Sequence, residues 1–295
     1  YKKIIEQQIH EQKPALIIST WFILNPVIES IQKDKPYLNI LTDPHTLIPL
    51  EPTPRAFNFI FDKTTAKFCQ KNHIPKEKII TTGWLVQNQF ETSYKQTFIR
   101  QQLNLDPHTL TFLIIGGSEG TSAILKIIPS LSLINKPLQI VIICGRNKQI
   151  FTTINRLSKI LNKKKGLHLV PIGFTDQLHH YMQAADLIIG KAGPNTIFES
   201  VATQTPFMAI THVSGHETGN LNLIKQYHLG YVEENPIKAG QILSRIADNP
   251  KELTKFQPYL KKLADYNRHS KQILLDFVHN HLESPTTGNP GAIKT

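Results

Sequence analysis

The sequence has few cysteines, a shortage of acidic residues and no long apolar run, and each shortage excludes a class of protein. Its two cysteines, Cys69 and Cys144, lie far apart among 295 residues, which excludes a disulfide framework and fits a reducing cytosol. No apolar run approaches the ~20 residues that span a bilayer, and no segment resembles a signal peptide. Internal repeats and low-complexity tracts are also missing from the sequence.

The composition is that of a globular, basic protein. Hydrophobic residues make up 40% and charged residues 19%, so the chain can form a core, and its length favours two domains over one. The 33 Lys and Arg outnumber the 22 Asp and Glu, for a formal net charge of +11. Such an excess indicates an anionic partner, namely nucleic acid, a membrane surface or a phosphorylated substrate, unless it serves only solubility.

Short apolar runs alternate with helix-like segments along the chain. We predict strands over 15–20, 37–42, 57–61, 78–82, 111–115, 138–143, 167–171, 186–189 and 206–210. Helices are predicted over 2–11, 25–33, 62–72, 91–103, 120–133, 148–161, 175–184 and 195–203. Continuous apolar strands between helices are typical of parallel sheets covered on both faces. The pattern predicts an α/β fold with two doubly wound domains, 1–100 and 101–283, and a disordered tail, 284–295.

Open parallel sheets bind ligands where strands end and helices begin, and three loops of the second series suit such a site. The loop 116–120 (GGSEG) allows close backbone approach and leads into a helix that would attract an anion, unless it is an ordinary tight turn. It matches neither the GxGxxG dinucleotide fingerprint nor the GxxxxGK[ST] phosphate loop. Arg146 follows the next strand and is either a phosphate ligand or a solvated side chain, and Phe174 either flanks a base or belongs to the core.

A fourth loop opens the helix predicted at 195–203. Gly193 suits the cap position of this helix, and Pro194 suits its first helical position. Proline is favoured there because a backbone N–H at that position would have no acceptor within the helix. The amides of Asn195 and Thr196, with the helix dipole behind them, form a seat for a diphosphate. Glu199 lies one turn further on the same face and is placed to accept both hydroxyls of a ribose, the alternative being an exposed helix glutamate.

The segment 212–220 (HVSGHETGN) follows the strand predicted at 206–210. His212, His216 and Glu217 lack a further ligand and a helical spacing, so we do not predict a metal site. A polar loop that hydrogen-bonds the hydroxyls of a sugar is the better interpretation.

These motifs together resemble one enzyme family. "KAGPNTIFESVATQTPFMAI" and "GHETGNLNLI", with "GGSEG", "IICGRN" and "PIGFTDQLHHYMQAADLIIGKAG" in the same order, resemble the donor-binding half of the monogalactosyldiacylglycerol synthase and processive diacylglycerol glucosyltransferase family. That family is related to the peptidoglycan enzyme that adds N-acetylglucosamine to a lipid-linked muramyl pentapeptide. "KPALIIST", "NILTDPHT" and "KIITTGWLVQNQF" resemble the second part of its amino-terminal domain. The resemblance implies a GT-B fold, with two Rossmann-like domains facing across a cleft and the amino-terminal domain incomplete.

The resemblance also implies a role for each motif residue, with a UDP-hexose as substrate and without a cofactor or metal. The diphosphate and sugar would lie near Gly117, Ser118, Glu119, Gly120 and Arg146. The uracil would lie near Phe174, and Glu199 would hold the ribose. The phosphate seat would be lined by Lys191, Gly193, Pro194, Asn195 and Thr196. The transferred hexose would contact His216, Glu217 and Asn220.

The implied reaction is the inverting, metal-independent transfer of galactose or glucose from a UDP-sugar to a lipid hydroxyl such as that of diacylglycerol. A base would deprotonate the acceptor while amides and Arg146 stabilise the leaving UDP. The enzyme would be cytoplasmic and peripheral on the inner face of the membrane, where its positive charge suits anionic lipid, with no nucleic acid as partner.

Three features depart from the family pattern. His216 replaces the usual glutamine, which leaves the sugar preference open, and Ile48 and Glu51 stand where the family usually carries a histidine and a tryptophan. The first βα unit, with its glycine-rich loop and the histidine proposed as general base, is absent. An upstream portion is therefore expected before Tyr1.

Without that unit, the general base is expected outside the chain. Asp43 and His45 are the nearby candidates, and His45 does not align with the family base. One alternative is a non-catalytic nucleotide-sugar-binding subunit that takes its acceptor domain from another chain. The others are a UDP-sugar epimerase and a muramyl-lipid transferase of the same fold.

Overall fold

The computed structural model describes residues 2–31, 36–45, 52–116, 121–163, 166–215 and 217–282. They form two compact units. The first contains the residues up to Leu85 together with those from Arg268 onward, and the second is Val86–Asn267. None of the helices within the described ranges is long and apolar enough to cross a bilayer.

The first unit is built on a four-stranded parallel sheet with the sequential order β1-β2-β3-β4. Its elements up to Leu85 are α1 (Lys2–Gln12), β1 (Ile17–Ser19), α2 (Asn25–Ile31), β2 (Tyr37–Ile40), β3 (Phe57–Ile60), α3 (Lys63–Lys71) and β4 (Ile79–Thr81). Short 3-10 turns lie at Phe22–Leu24 and Lys76–Lys78. Each strand lies within a segment predicted from the apolar runs, so the parallel α/β pattern is confirmed here.

A row of buried polar side chains, the asparagine ladder, crosses this sheet. Ser19, Asn39 and Asn58 lie directly opposite one another on β1, β2 and β3. Asn25 of α2 accepts from the Ser19 hydroxyl at 2.7 Å and donates to Asn39 Oδ1 at 3.0 Å. Asn39 donates in turn to Asn58 Oδ1 at 3.0 Å. Tyr37 also donates to Asn25, and burial raises the pKa of its phenol. Because these bonds form only in one pairing, the ladder specifies the register.

The second unit contains a six-stranded parallel sheet in the order β10-β9-β8-β5-β6-β7. Its elements are α4 (Asn88–Glu91), α5 (Gln96–Gln102), β5 (Leu110–Ile115), α6 (Thr121–Ser132), β6 (Leu138–Ile143), α7 (Lys148–Leu161), β7 (Leu167–Ile172), α8 (Leu178–Ala184), β8 (Leu187–Lys191), α9 (Pro194–Ala202), β9 (Phe207–Thr211), α10 (Thr218–Gln226), β10 (Gly230–Val232), α11 (Pro236–Asp248) and α12 (Gln257–Asn267), with a 3-10 segment at Pro250–Phe256. This is the Rossmann order, and it reverses between β5 and β8. A ligand is therefore expected where β5 and β8 end.

Side-chain contacts explain two differences from the predicted helices. The predicted helix 91–103 begins only at Gln96, because Gln183 of α8 holds the preceding residues in a non-helical link, donating to Thr92 O at 2.7 Å and accepting from the Tyr94 amide. The predicted helix 175–184 begins only at Leu178, since the Thr175 hydroxyl accepts the Gln177 amide. Both exchanges are local alternatives to helical hydrogen bonds.

Beyond residue 211 the structure adds elements that the periodicity did not predict: α10, β10, α11, α12 and a final helix, α13 (Ser270–Leu282). Strand β10 begins at Gly230, whose φ of 154° and close approach to Phe207 require glycine. A Cβ at that position would lie 1.9 Å from the Phe207 carbonyl oxygen. Because β10 is short and begins with glycine, it has too few apolar residues to be predicted from its pattern.

The two units meet along the chain at 85/86 rather than at the expected 100/101, and α13 belongs to the first unit. Phe277 of α13 packs edge-on against Phe57 and Phe59, with ring centroids 4.8 and 5.2 Å apart. Arg100 of α5 pairs with Asp186 at 2.7 Å and joins the second unit. Contacts between residues distant in sequence therefore determine which unit α5 and α13 belong to. The tail expected at 284–295 lies outside the described residues.

Candidate functional site

The loops after β5 and β8 lie side by side at the point where the strand order reverses. Gly190 of β8 pairs with Ile115 of β5, and a Cβ on Gly190 would lie 3.0 Å from the Ile115 carbonyl oxygen, so glycine permits this close approach. Gly116 follows β5, and the next four predicted site residues lie outside the described ranges: Gly117, Ser118, Glu119 and Gly120.

A β-bulge redirects the end of β8. Gly190 pairs with Ala209 but Lys191 pairs with Thr211, so the register shifts by one residue between Gly190 and Lys191. Such a bulge re-aims the side chain that follows it. The Lys191 ammonium forms an ion pair with the Glu217 carboxylate, from the start of α10.

Helix α9 begins as the sequence predicted, with Gly193 as the cap and Pro194 as the first helical residue. Gly193 has an extended backbone and caps no amide through a side chain. The Ile197 amide already bonds to Gly193 O, which leaves the amides of Asn195 and Thr196 without an acceptor among the described residues. A helix that starts in this way presents free donors and a positive dipole end to an anion.

Glu199 lies one turn into α9 and is half-buried. Burial raises the pKa of its carboxyl group to about 7. Within the described part of the chain no group donates a hydrogen bond to this carboxylate. Removing the Glu199 carboxylate from water without giving it a hydrogen-bond donor costs free energy. Hydroxyl groups of a ligand would offset that cost by donating to the carboxylate.

Glu217 and Asn220, which the family resemblance assigns to the hexose, are held by the protein itself. Glu217 is 6% exposed and accepts the Val213 amide at 2.8 Å besides pairing with Lys191. Asn220 is fully buried, and its amide donates to Ala192 O at 2.9 Å. Its Oδ1 is buried and has no hydrogen-bond partner in the described ranges. The adjacent predicted residue His216 lies outside those ranges.

Arg146 and Phe174 meet at the ends of β6 and β7. The guanidinium carbon lies 4.7 Å from the Phe174 ring centroid, within cation–π range. Phe174 is 65% exposed, which excludes the alternative of a core phenylalanine. At ~4.8 Å per strand, the end of β6 lies about 10 Å along the sheet edge from the end of β8. Phe174 follows β7, one strand further along the same edge, so Lys191, Arg146 and Phe174 lie in that order along it.

Comparison with known sequences matches most of the second unit to a protein family. Residues 111–264 match the glycosyltransferase family 28 C-terminal domain. The chain belongs to glycosyltransferase family 28. The match includes all the residues of the predicted donor site, from Gly117 to Asn220.

This family 28 chain is similar to curated enzymes over most of its length. It is 25% identical over 299 residues to "Monogalactosyldiacylglycerol synthase 2, chloroplastic" of Arabidopsis thaliana, covering 92% of the chain and 62% of the relative. It is 24% identical over 247 residues to "Processive diacylglycerol beta-glucosyltransferase" of Staphylococcus saprophyticus, covering 82% of the chain and 62% of the relative. The chain thus spans less than two thirds of the length of these relatives.

Solved structures confirm the GT-B fold that the sequence resemblance implied. MurG of Acinetobacter baumannii superposes with a TM-score of 0.66 at 18% identity, covering 95% of this chain and 77% of MurG. Anabaena Alr3699/HepE, solved in complex with UDP-glucose, gives a TM-score of 0.60 at 14% identity, covering 94% of this chain and 81% of HepE. At such identities the likeness concerns the fold alone.

The first unit of the family 28 chain contains both residues considered for a general base. His45 Nε2 lies 3.1 Å from Asp62 Oδ2, and the two side chains are only 6% and 7% exposed. Asp62 also caps α3 by accepting the Thr65 amide at 2.8 Å. His45 thus supports the start of α3. Asp43 is half-buried.

The structure also pairs residues that the sequence left unconnected. His212 Nδ1 lies 2.7 Å from Glu234 Oε1, and in the described ranges no three His, Cys, Asp or Glu side chains are grouped to hold a metal ion. Of these two unpredicted pairs, Lys191–Glu217 is the more important, since it joins two predicted site residues that are 26 positions apart. No spacing rule predicts that contact, because it depends on the bulge in β8.

Proposed function

We propose that the protein transfers a hexose from a UDP-sugar to a hydroxyl group of a lipid such as diacylglycerol. The observation that carries the proposal is Glu199, a half-buried carboxylate without a described donor, one turn inside a helix whose first amides are free. A ribose supplies two adjacent hydroxyl donors to such a carboxylate.

The relatives support the two substrate classes. Those reported above are named for diacylglycerol products and diacylglycerol acceptors, and the HepE structure contains UDP-glucose. We assign the diphosphate to the Asn195 and Thr196 amides, with Lys191 and Arg146 supplying positive charge. Phe174 would contact the uracil, and Asn220 Oδ1 is a buried acceptor for a hexose hydroxyl.

The reaction follows from these assignments as a single displacement with inversion. The acceptor oxygen bonds to the anomeric carbon while the bond from that carbon to the diphosphate breaks, and UDP leaves with the electron pair. A base from the acceptor side takes the hydroxyl proton. Helix amides and cationic side chains stabilise the charge that develops on UDP, so we expect no requirement for a divalent metal.

The acceptor is a lipid, and the first unit has features suited to a membrane surface. Ile18, Trp21 and Ile23 are 47%, 51% and 54% exposed. Tryptophan is enriched at membrane–water interfaces, and the net charge of +11 favours anionic lipid at ~1 kcal/mol per cation near the surface. We therefore propose peripheral binding on an anionic leaflet.

Fluorescence tests the membrane contact directly, because the chain has only two tryptophans and Trp84 is buried. In a Trp84→Phe variant, the emission of Trp21 should shift to the blue with phosphatidylglycerol vesicles. The shift should be lost at 1 M salt, where the Debye length falls to ~3 Å. An unshifted spectrum at low salt would remove the membrane part of the proposal.

The activity itself is tested with the full-length protein, vesicles containing diacylglycerol, EDTA, and UDP-galactose, UDP-glucose or UDP-N-acetylglucosamine in separate reactions. We expect a glycolipid from one of the two hexose donors. Glu199→Ala is the matched control and should abolish most of the product at low donor concentration. Donor binding without product in any reaction would favour a nucleotide-sugar-binding subunit, and failure to bind UDP would contradict the proposal.

A further inference from the structure

The Lys191–Glu217 pair lies directly over the amino terminus of α9. A Cβ built on Gly193 would be 3.6 Å from Glu217 Oε1 and 3.7 Å from Lys191 Nζ. Both charged groups therefore lie within a few ångströms of the backbone that opens the helix. A diphosphate seated on the Asn195 and Thr196 amides would meet them at close range.

The two groups respond to such an anion in opposite ways. The diphosphate attracts the ammonium and repels the carboxylate, so the ion pair cannot keep its full strength once the anion is bound. While the pair is intact, Glu217 neutralises the positive charge of Lys191 and the seat attracts anions less.

Lys191 is the partner that is free to move. The Glu217 side chain is 8% exposed and is held by the Val213 amide, whereas the Lys191 side chain is 24% exposed and carries its charge on a flexible four-carbon stem. A small rotation of that stem transfers the ammonium from the carboxylate to a phosphate. Glu217 then keeps its position and loses its partner.

We propose that Lys191 exchanges partners when the donor binds: it pairs with Glu217 in the free protein and with the diphosphate in the complex. This proposal rests on the function proposed above. The exchange releases a fixed, buried carboxylate next to Asn220, where it accepts hydroxyl groups of the hexose. Lys191 is thus a positioning residue that prepares the sugar subsite only when the nucleotide is in place, and a free hexose finds the subsite occupied.

Calorimetry with two variants tests the exchange, because they should change UDP affinity in opposite directions. Glu217→Gln frees Lys191 beforehand, so UDP should bind about 3- to 10-fold more tightly, a gain comparable to the strength of a partly buried ion pair. Lys191→Met removes a charge-assisted bond to phosphate, so UDP should bind about 10-fold more weakly. The Glu217→Gln protein should also lose any advantage of UDP-glucose over UDP.

Glu234→Gln is the matched control, since it removes one negative charge from a carboxylate that pairs with His212 instead. Its UDP affinity should stay within about twofold of the wild type, because an exposed charge beyond the seat is largely screened. Weaker or unchanged UDP binding by a folded Glu217→Gln protein would overturn the exchange. A different result would contradict the proposed function, namely a wild-type protein that does not bind UDP.

A crystal structure of the wild-type protein with UDP gives the same answer without a variant. We expect Lys191 Nζ at hydrogen-bond distance from a phosphate oxygen and away from Glu217. A complex in which the ion pair persists beside the diphosphate would overturn the exchange even though UDP is bound.

Discussion

The two parallel sheets of this protein are stabilised by different means. In the first sheet the strands are three or four residues long, and polar side chains of β1, β2 and β3 meet in the buried asparagine ladder. In the second sheet β5 to β9 are five or six residues long, and most of their side chains are buried aliphatics. Long aliphatic strands bury enough area to pair firmly, and a polar pair links β5 and β6, with Gln139 donating to Thr111 Oγ1 at 2.8 Å. Short strands gain from hydrogen bonds that form in one register only.

The largest expected change in stability comes from a substitution at the centre of the asparagine ladder. Asn39→Leu deletes the bond that Asn39 accepts from the Asn25 amide and the bond that it donates to Asn58 Oδ1, at about 0.5–1.5 kcal/mol each. It also forces a branched apolar side chain into a packed polar site, at about 1–3 kcal/mol, so unfolding should be easier by about 2–6 kcal/mol. Both tryptophans, Trp21 and Trp84, belong to the first unit, so their fluorescence during urea unfolding reports on that unit alone.

Ile140→Leu, at a buried position of β6, is the matched change in the aliphatic sheet. A volume-conserving swap there should cost less than about 1.5 kcal/mol, measured by calorimetric unfolding. Equal costs for the two variants would remove the contrast between the sheets.

The next effect concerns Glu199, a carboxylate of α9 near the switch point of the second sheet that has no hydrogen-bond donor in the described ranges. Glu199→Ala should weaken UDP binding by about 1–3 kcal/mol, since two charge-assisted bonds to the ribose are lost. Titration calorimetry measures the change, and an unaltered melting temperature shows that the variant is folded. Unchanged UDP affinity would mean that Glu199 does not hold the ribose.

The raised pKa of Glu199, about 7, predicts a pH dependence of donor binding. Between pH 4.5 and 7 the folded protein keeps a proton that the unfolded chain has lost, so the ionised carboxylate destabilises the free protein as the pH rises through 7. Ribose hydroxyls donate to the ionised form, so UDP-glucose affinity should rise about 10-fold from pH 6 to a plateau above 8. UDP-glucose is the better probe than UDP, whose terminal phosphate itself titrates near pH 6.

Glu199→Gln should bind UDP-glucose with little dependence on pH, which assigns the titration to this residue. If the variant keeps the wild-type profile, another group is responsible for it.

The smallest expected effect distinguishes backbone from side chain at the start of α9. Asn195→Pro deletes an amide donor that Asn195→Ala keeps, so it should weaken UDP binding by a further ~1 kcal/mol. Proline is tolerated in the first turn of a helix, so both proteins should fold. Equal affinities would show that the diphosphate does not use this amide.

Much of this arrangement could be predicted from the sequence, because it follows from local rules. The apolar runs predicted nine strands, and "GPN" predicted the start of α9, since proline and glycine have fixed preferences there. The asparagine ladder could not be predicted, because its members lie in separate segments that only the sheet register aligns. The Lys191–Glu217 pair was missed for the same reason, as it depends on a bulge between Gly190 and Lys191.

The return of α13 to the first unit has a consequence for synthesis on the ribosome. Phe57 and Phe59 are translated early, but the ring that covers them, Phe277, follows about 220 residues later, or about 11–44 s at ~5–20 residues per second. The second unit is encoded without interruption between these points, so all of its residues are synthesised before Phe277. The first unit therefore cannot complete its core until α13 has been made, and its uncovered phenylalanines are a natural target for a chaperone in the meantime.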